Sequence, residues 1–184
     1  MNQPQSIKLR FMEGAAVLLS LGYTWGYLRG WTPWCFIAAG LGAGLFLDLC
    51  RRKGILAEAA LQGFYIAMAA YGAWASYGSL TWRPSTWSGS SHVLAILIAG
   101  SLTLLAARWL RRNTRSALPE VDAFTTVFSL LATWLMVNNH HANWAYWIVI
   151  DAVSIFLYAK RGLPLGAALY AIYFVMALMG WFGW

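Results

Sequence analysis

The sequence predicts an all-α integral membrane protein with seven transmembrane helices. Of its 184 residues, 60% are hydrophobic and only 10% are charged, whereas soluble domains contain about 45–50% apolar and about 25% charged residues. A soluble fold of this length could not bury so much apolar surface, so a lipid bilayer is its natural solvent. The chain is long enough for one domain or for two small, similar halves.

Seven stretches are apolar over a length that can cross a membrane, which takes about 20 residues, with about 17–25 tolerated. The first is a retained span and not a signal peptide, since no small-residue cleavage site follows it and it ends in aromatic residues. The stretches are Phe11–Leu28, Pro33–Cys50, Ala57–Ser79, Ser91–Leu110, Val121–Asn138, Ala142–Ala159 and Leu163–Trp184. Turn signals lie between them at Arg29-Gly30, Lys53-Gly54, Arg83-Pro84 and Arg161-Gly162.

The basic residues between the spans predict the orientation, because short loops rich in Lys and Arg stay cytoplasmic. Only Arg29 and Arg83 fall on one side of the membrane, and all the others fall on the opposite side. Those others are Lys8, Arg10, Arg51, Arg52, Lys53, Arg108, Arg111, Arg112, Arg115, Lys160 and Arg161. We therefore expect a cytoplasmic N-terminus and a periplasmic or extracellular C-terminus. The basic residues behind the net charge of +7 are then explained by membrane orientation, and we expect no nucleic-acid partner.

An internal repeat relates the third and seventh spans, because each pair of matching residues is separated by the same number of positions, which we call the constant shift. It predicts two three-helix units joined by the fourth span, in a 3+1+3 parallel repeat whose axis follows the membrane normal. The expected division is residues 1–80, a linker helix in 81–117, and residues 118–184. The alternative is coincidence among residues common in membrane helices. The matched pairs are Gly54 with Gly162, Leu61 with Leu169, Tyr65 with Tyr173, Ala69 with Ala177 and Gly72 with Gly180.

Polar residues within the spans mark the candidate site. Asp151 lies in the middle of the sixth span, where an ionisable group is expensive and usually faces a cavity or a partner. Helical spacing puts Trp144 and Trp147 on the same broad face. Aromatic rings beside a carboxylate suit a flat ligand that is partly cationic or carries hydroxyl groups. The alternative is an interfacial aromatic belt together with a structural Asp.

The third span carries Gln62 and Tyr65 on one face, and in the repeat these correspond to Tyr170 and Tyr173. Gln62 lies deep in the span and needs a hydrogen-bond partner there.

Enzyme signatures are missing from the sequence. The pair His140-His141 lies in the short loop between the fifth and sixth spans, with no Cys, His or carboxylate at ligand spacing beside it, so we expect no metal site and no cofactor. HExxH, GxSxG and P-loop motifs do not occur. Solute transport is therefore favoured. A membrane enzyme or assembly factor that uses the histidine pair is the alternative.

These residues resemble the PnuC family of bacterial nicotinamide riboside transporters. The family pattern is Asn-Trp, a second Trp three residues on, and Asp or Asn seven residues on. It is matched by Asn143, Trp144, Trp147 and Asp151. In the first half, the elements Leu61-Gln62 with Tyr65, and Tyr71-Gly72, also match. The chain departs from the family after Tyr71-Gly72, where members usually have a Trp-rich run and this sequence has only Trp74, in Ala73–Ser76.

The resemblance implies a fold like that of the sugar-transporting SWEET proteins in the opposite orientation, in the bacterial inner membrane. It also implies facilitated diffusion of nicotinamide riboside for NAD biosynthesis, with trapping by phosphorylation inside the cell. Two triplets would rock around a central site. The implied substrate-binding residues are Gln62, Tyr65, Trp74, Trp144, Trp147, Asp151, Tyr170 and Tyr173.

The identity of the vitamin stays open at this stage. The segment Ala38–Gly44 lacks the Asn that family members often carry on the second span. Relatives with this fold are assigned to thiamine, riboflavin or deoxynucleosides. A proton-coupled transporter of another vitamin, in which Asp151 titrates, is the alternative to a uniporter. A homo-oligomer is also left open.

Overall fold

A computed structural model describes residues 3–52, 56–77, 85–114, 117–162 and 164–183. Within these ranges the chain forms seven α-helices and no β-sheet, so the predicted all-α class and number of helices are confirmed. The helices are α1 Gln3–Leu28, α2 Trp34–Arg52, α3 Leu56–Ser76, α4 Gly89–Asn113, α5 Pro119–Val137, α6 Asn143–Lys160 and α7 Pro164–Phe182.

The helix ends differ from the predicted spans mainly where polar residues continue a helix. α1 begins at Gln3 and not at Phe11, because backbone hydrogen bonding does not stop where the apolar segment starts. α4 extends to Asn113, with Arg111 and Arg112 in its last turn, where cations interact favourably with the helix dipole.

Two of the predicted turns are confirmed. Gly30 and Gly162 adopt φ of 69° and 67°, a left-handed conformation that glycine accepts without steric cost. The predicted turns at Lys53-Gly54 and Arg83-Pro84 lie outside the described residues, as do the predicted span ends Ser79, Leu163 and Trp184.

The chain divides into two compact units, Met1–Trp82 and Arg83–Trp184. In the first unit, α2 packs against both α1 and α3. In the second unit, α6 packs against α5 and α7, while α4 packs against α5. The middle helix of each triplet therefore carries most of the internal packing. α4 belongs to the same compact unit as α5–α7, and the predicted division into two triplets and a linker stays a prediction.

Several helices have the character of membrane spans. By length and composition, α2, α4 and α5 are long and apolar enough to cross a bilayer, and a shorter apolar helix segment runs over Gly166–Phe182. On α4 the large aliphatic side chains Leu94, Leu97 and Leu104 are exposed, whereas the small Ala99 and Ala107 are buried. A helix that exposes its largest apolar side chains is stable when its solvent is lipid.

The two units contain the same helix–helix contact. In the first unit the ring of Phe36 lies against Gly72, where an added Cβ would come within 2.6 Å of Cε1 of the ring. In the second unit the ring of Trp144 lies against Gly180, where an added Cβ would overlap the indole. Both partners are related by the constant shift that aligns the third and seventh spans in the sequence.

Burial follows the same shift along the middle helices. Five of the six buried positions of α2 recur as buried positions of α6, the exception being Cys50, whose counterpart Tyr158 is half-buried. Ala69 of α3 recurs as Ala177 of α7. The α2 and α6 pairs are Cys35 with Asn143, Phe36 with Trp144, Gly42 with Ile150, Ala43 with Asp151, and Leu49 with Leu157. These equivalences support a repeat of the three-helix unit.

Candidate functional site

The polar face of α6 is the centre of the candidate site. Asp151 is 2% exposed and Ser154, one turn further on, is also buried. Asp151 was predicted from the sequence. Ser154 was missed, although its spacing of three residues from Asp151 places it on the same helix face. A carboxylate and a hydroxyl on one buried face can hold a ligand that donates and accepts hydrogen bonds.

No cation offsets the Asp151 carboxylate within the described residues. The three ion pairs found there are Asp48 with Arg52, Arg111 with Glu120, and Asp122 with Arg161. A charged Asp at the centre of a membrane helix costs about 2.5–3.5 kcal/mol on insertion scales. Water or a ligand in contact with the carboxylate would offset that cost.

Trp147 brings an unused hydrogen-bond donor to the same region. Its indole Nε1 is buried and has no hydrogen-bond partner among the described residues. A buried tryptophan N–H usually finds a partner, and leaving one unsatisfied costs about 1–3 kcal/mol. Trp147 lies one helical turn before Asp151, so α6 presents a donor, an aromatic face and an acceptor within two turns.

Trp144 is buried as well, and its ring is closely packed against Gly180. A tryptophan of a membrane-surface belt would be more exposed than this. The contact gives Trp144 a packing role between α6 and α7. Its predicted contact with a substrate stays a prediction.

Tyrosine side chains form a cluster between α6 and α7. The ring centroids of Tyr158 and Tyr170 are 5.0 Å apart, and those of Tyr170 and Tyr173 are 6.2 Å apart. Gly166 makes room for Tyr158, because a Cβ there would overlap its ring. The two predicted site residues of α7 therefore lie together in one aromatic cluster.

The predicted residues of the first unit have different surroundings. Gln62 is buried on α3, as its deep position predicts, and Tyr65 is half-buried with its ring 5.8 Å from that of Phe64. Trp74 is 75% exposed and lies 6.0 Å from the ring of Tyr71. Trp74 thus does not share the burial of Gln62.

An ion pair joins the start of α5 to the end of α6. Nη2 of Arg161 donates to both carboxylate oxygens of Asp122, at 2.8 and 2.6 Å. Both side chains are partly exposed, so screening limits the contribution of this pair to stability to about 1 kcal/mol or less. The pair fixes the ends of two helices relative to each other, at the opposite end of α6 from Asn143.

Metal chemistry has no site in the described part of the chain, where no three His, Cys, Asp or Glu side chains lie close enough to hold an ion. The adjacent histidines face different partners. His140 Nδ1 lies 2.9 Å from the Ser85 hydroxyl, whereas the ring of His141 stacks on Trp181. They therefore do not form a two-histidine centre.

Apolar helices with exposed aliphatic side chains, together with a buried polar face on α6, define a multi-pass membrane protein with an interior polar site. The family model described as nicotinamide mononucleotide transporter matches residues 10–184. The chain therefore belongs to this family, as its PnuC-like motifs predicted. The family is one of transporters, in agreement with the expectation of a transporter over an enzyme.

Two relatives match part of the chain. The nicotinamide riboside transporter PnuC of Neisseria mucosa is 34% identical over 99 residues, which is 50% of this chain and 36% of the relative. The protein of the same name from Haemophilus influenzae is 26% identical over 99 residues, which is 54% of this chain and 42% of the relative. The matched region thus spans less than half the length of either relative.

The fold is also that of a solved structure. The crystal structure of the vitamin B3 transporter PnuC aligns over 100% of this chain and 91% of its own, with a TM-score of 0.71 and 19% sequence identity. At this identity the similarity establishes the shared fold. It agrees with the seven-helix membrane architecture predicted from hydropathy.

Proposed function

We propose that this protein carries nicotinamide riboside, or a closely related nucleoside-like vitamin, across the membrane by facilitated diffusion. The names of its two relatives and its family membership support this proposal. The observation that carries it is the position of two groups on α6. The Trp147 indole N–H has no hydrogen-bond partner among the described residues, and it lies one helical turn from the buried Asp151 carboxylate.

The chemistry of the two side chains matches that of the ligand. Nicotinamide riboside has a flat, positively charged pyridinium ring with a carboxamide, joined to a ribose with free hydroxyl groups. A tryptophan face attracts a cationic ring by about 0.5–2 kcal/mol, depending on desolvation. A carboxylate accepts strong hydrogen bonds from hydroxyl groups and offsets the positive charge. Ser154 adds a hydroxyl on the same face.

The remaining residues of the proposed site are supported by the sequence repeat and the family motifs. They are Gln62, Tyr65 and Trp74 in the first unit, and Trp144, Tyr170 and Tyr173 in the second. Gln62 offers an amide that can bond a carboxamide or a hydroxyl group. The tyrosines offer rings and hydroxyl groups.

The proposed mechanism is movement of two rigid three-helix units. Two contacts between a ring and a glycine support it, that of Phe36 with Gly72 and that of Trp144 with Gly180. Each packs the second helix of a triplet closely against the third. Closely packed units move as bodies more readily than they deform. The substrate is then trapped in the cell by phosphorylation, so that no ion gradient is required.

The proposed setting is the bacterial inner membrane, with the N-terminus in the cytoplasm and the C-terminus outside. The distribution of basic residues supports this orientation.

Proton-coupled transport is the second candidate, because the described residues contain no ion-pair partner for Asp151. In that mechanism the carboxylate would bind a proton on one side of the membrane and release it on the other.

Binding across a vitamin panel tests the substrate. The purified protein is titrated with nicotinamide riboside, thiamine, riboflavin and deoxynucleosides while its thermal unfolding is followed. A ligand present at about 100 times its Kd stabilises the folded state by about 2.7 kcal/mol. We expect the largest shift with nicotinamide riboside. A larger shift with another vitamin would reassign the substrate.

A further inference from the structure

All three histidines of the chain lie at one end of the second unit, where the α5–α6 turn meets the ends of α4 and α7. His92 is on α4, while His140 and His141 are in the turn. Two tryptophans, Trp87 and Trp181, contact them. We call these five residues the histidine–tryptophan cluster. None of them takes part in the polar face of α6.

The segment before α4 forms one wall of the cluster. Ser85 holds it to the turn, because its backbone N–H donates to the Asn139 carbonyl at 3.0 Å and its hydroxyl donates to the Asn138 carbonyl at 3.2 Å. The ring of Trp87 then lies between His92 and His140, with centroid distances of 5.4 and 5.3 Å.

His92 links this wall to α6. Its Nδ1 is 3.0 Å from the hydroxyl oxygen of Tyr146, within hydrogen-bond distance. The wall is therefore held to both the turn and α6, and its aromatic rings keep a defined orientation.

A stacked pair of rings forms a second part of the lining. His141 and Trp181 lie 5.2 Å apart with an angle of 27° between their planes. These residues line a partly open cavity of about 210 Å³, whose lining is Thr86, Trp87, His92, His141, Ala142 and Trp181. Pockets for drug-sized ligands measure about 300–1,000 Å³, so this cavity suits one ring and not a whole nucleoside.

The repeat indicates that the fold does not need this stack. By the constant shift of the repeat, His141 and Trp181 correspond to Pro33 and Ala73 in the first unit, whereas the packing pair Trp144 and Gly180 keeps its equivalents. Tryptophans of a membrane-surface belt also have no need to line a common cavity, as Trp87 and Trp181 do. The stack therefore has a role that the first unit lacks.

We propose that this cavity is a second binding site, which takes the pyridinium ring of the substrate at the periplasmic entrance before the substrate reaches Asp151. This inference rests on the proposed function. The lining residues include no acid, so attraction comes from the indole faces, which favour a flat cationic ring. Thr86 and the imidazoles provide hydrogen-bonding groups for a carboxamide. The inserted ring extends the stack of His141 and Trp181.

Binding of N-methylnicotinamide, a pyridinium with a carboxamide but no ribose, tests the site directly. It is measured by calorimetry on the purified full-length protein carrying Trp147→Ala, which weakens the site on α6. We expect binding to persist in this background and to weaken about three- to tenfold on adding Trp181→Ala. Adding Trp181→Phe, which restores an aromatic face, should recover most of the affinity.

The matched control is Trp109→Ala, which removes another exposed tryptophan of the same unit that does not line the cavity. It should leave the affinity for N-methylnicotinamide unchanged. Equal affinity with and without Trp181, or equal weakening by the Trp109 substitution, would overturn the proposal.

Uptake separates this proposal from the proposed function. In proteoliposomes, Trp181→Ala should raise the KM for external nicotinamide riboside about three- to tenfold with kcat unchanged. If wild-type protein carries no nicotinamide riboside while ring binding still depends on Trp181, the proposed substrate is wrong and the second site stands. If wild-type uptake is normal and Trp181→Ala changes neither KM nor ring binding, the second site is wrong.

Discussion

Asp151 occupies in α6 the buried position that Ala43 occupies in α2, its equivalent in the repeat. The two residues are 2% and 6% exposed, and the buried positions on either side of them also correspond. Since the first unit packs a methyl group at this position, the three-helix fold does not need a carboxylate there. This difference supports the proposed ligand contact of Asp151 in the second unit.

Replacing Asp151 with Ala should separate function from stability. Removing a buried carboxylate that has no ion pair should lower the stability of the folded protein little or even raise it. Substrate affinity, in contrast, should fall at least about tenfold. Asp151→Asn keeps the shape and tests the charge alone. Thermal unfolding and equilibrium binding of nicotinamide riboside are measured on the same preparations. A clearly destabilised Asp151→Ala protein that binds the substrate normally would identify a structural Asp.

Trp147→Ala and Gln62→Ala should each weaken nicotinamide riboside binding about tenfold, because an aromatic stack or a good hydrogen bond contributes about 1–2 kcal/mol. Trp147→Phe keeps the ring and removes the buried N–H, so it should lose only part of the affinity. Binding is measured by calorimetry after folding has been checked by gel filtration. Unchanged affinity in both alanine variants would move the site elsewhere.

Gly180→Ala and Gly72→Ala should each destabilise the protein by about 1–3 kcal/mol, because the added Cβ meets a buried ring. The controls are Gly63→Ala and Gly100→Ala, helical positions where a Cβ meets nothing within 4 Å and where Ala should stabilise slightly. Trp144→Ala should reduce the effect of Gly180→Ala when the two are combined. Equal thermal shifts for all four glycine variants would contradict the repeated contact.

The N-terminus should lie in the cytoplasm. A reporter that is active only in the cytoplasm is fused in turn to each end of the protein, and activity is expected at the N-terminus alone. A matched variant that exchanges the basic residues Arg51 and Arg52 for Gln tests the cause, since it removes charges from a single helix end, that of α2. Activity at the C-terminus of the unmodified chain would reverse the proposed orientation.

The sequence predicted the number and type of helices because hydropathy reports directly on the bilayer. It predicted the burial of Gln62 and Asp151 because polar side chains in an apolar span are costly to expose to lipid and therefore face the protein interior. It did not predict that Trp144 packs on Gly180, because that contact joins residues at the start of α6 and the end of α7 and depends on how the two helices pack. Nor could it separate the partners of His140 and His141, since adjacent turn residues point in directions that only tertiary packing fixes.

Other differences have the same origin. Ser154 was missed because a serine in a membrane helix often bonds its own backbone, so that its type alone does not mark a site. The exposure of Trp74 follows from the packing of α3. Since α3 is apolar on most sides, sequence periodicity cannot tell its buried face from its exposed face.

The most direct test of passive nicotinamide riboside transport is the initial rate of labelled substrate entry into liposomes that contain only this protein. The rate is measured with a proton gradient and after an uncoupler has collapsed it, with protein-free liposomes as the control. Passive transport predicts saturable entry at the same initial rate in both conditions, with final internal and external concentrations equal. A large loss of rate on uncoupling, or accumulation that depends on the gradient, would contradict it and indicate coupling through Asp151.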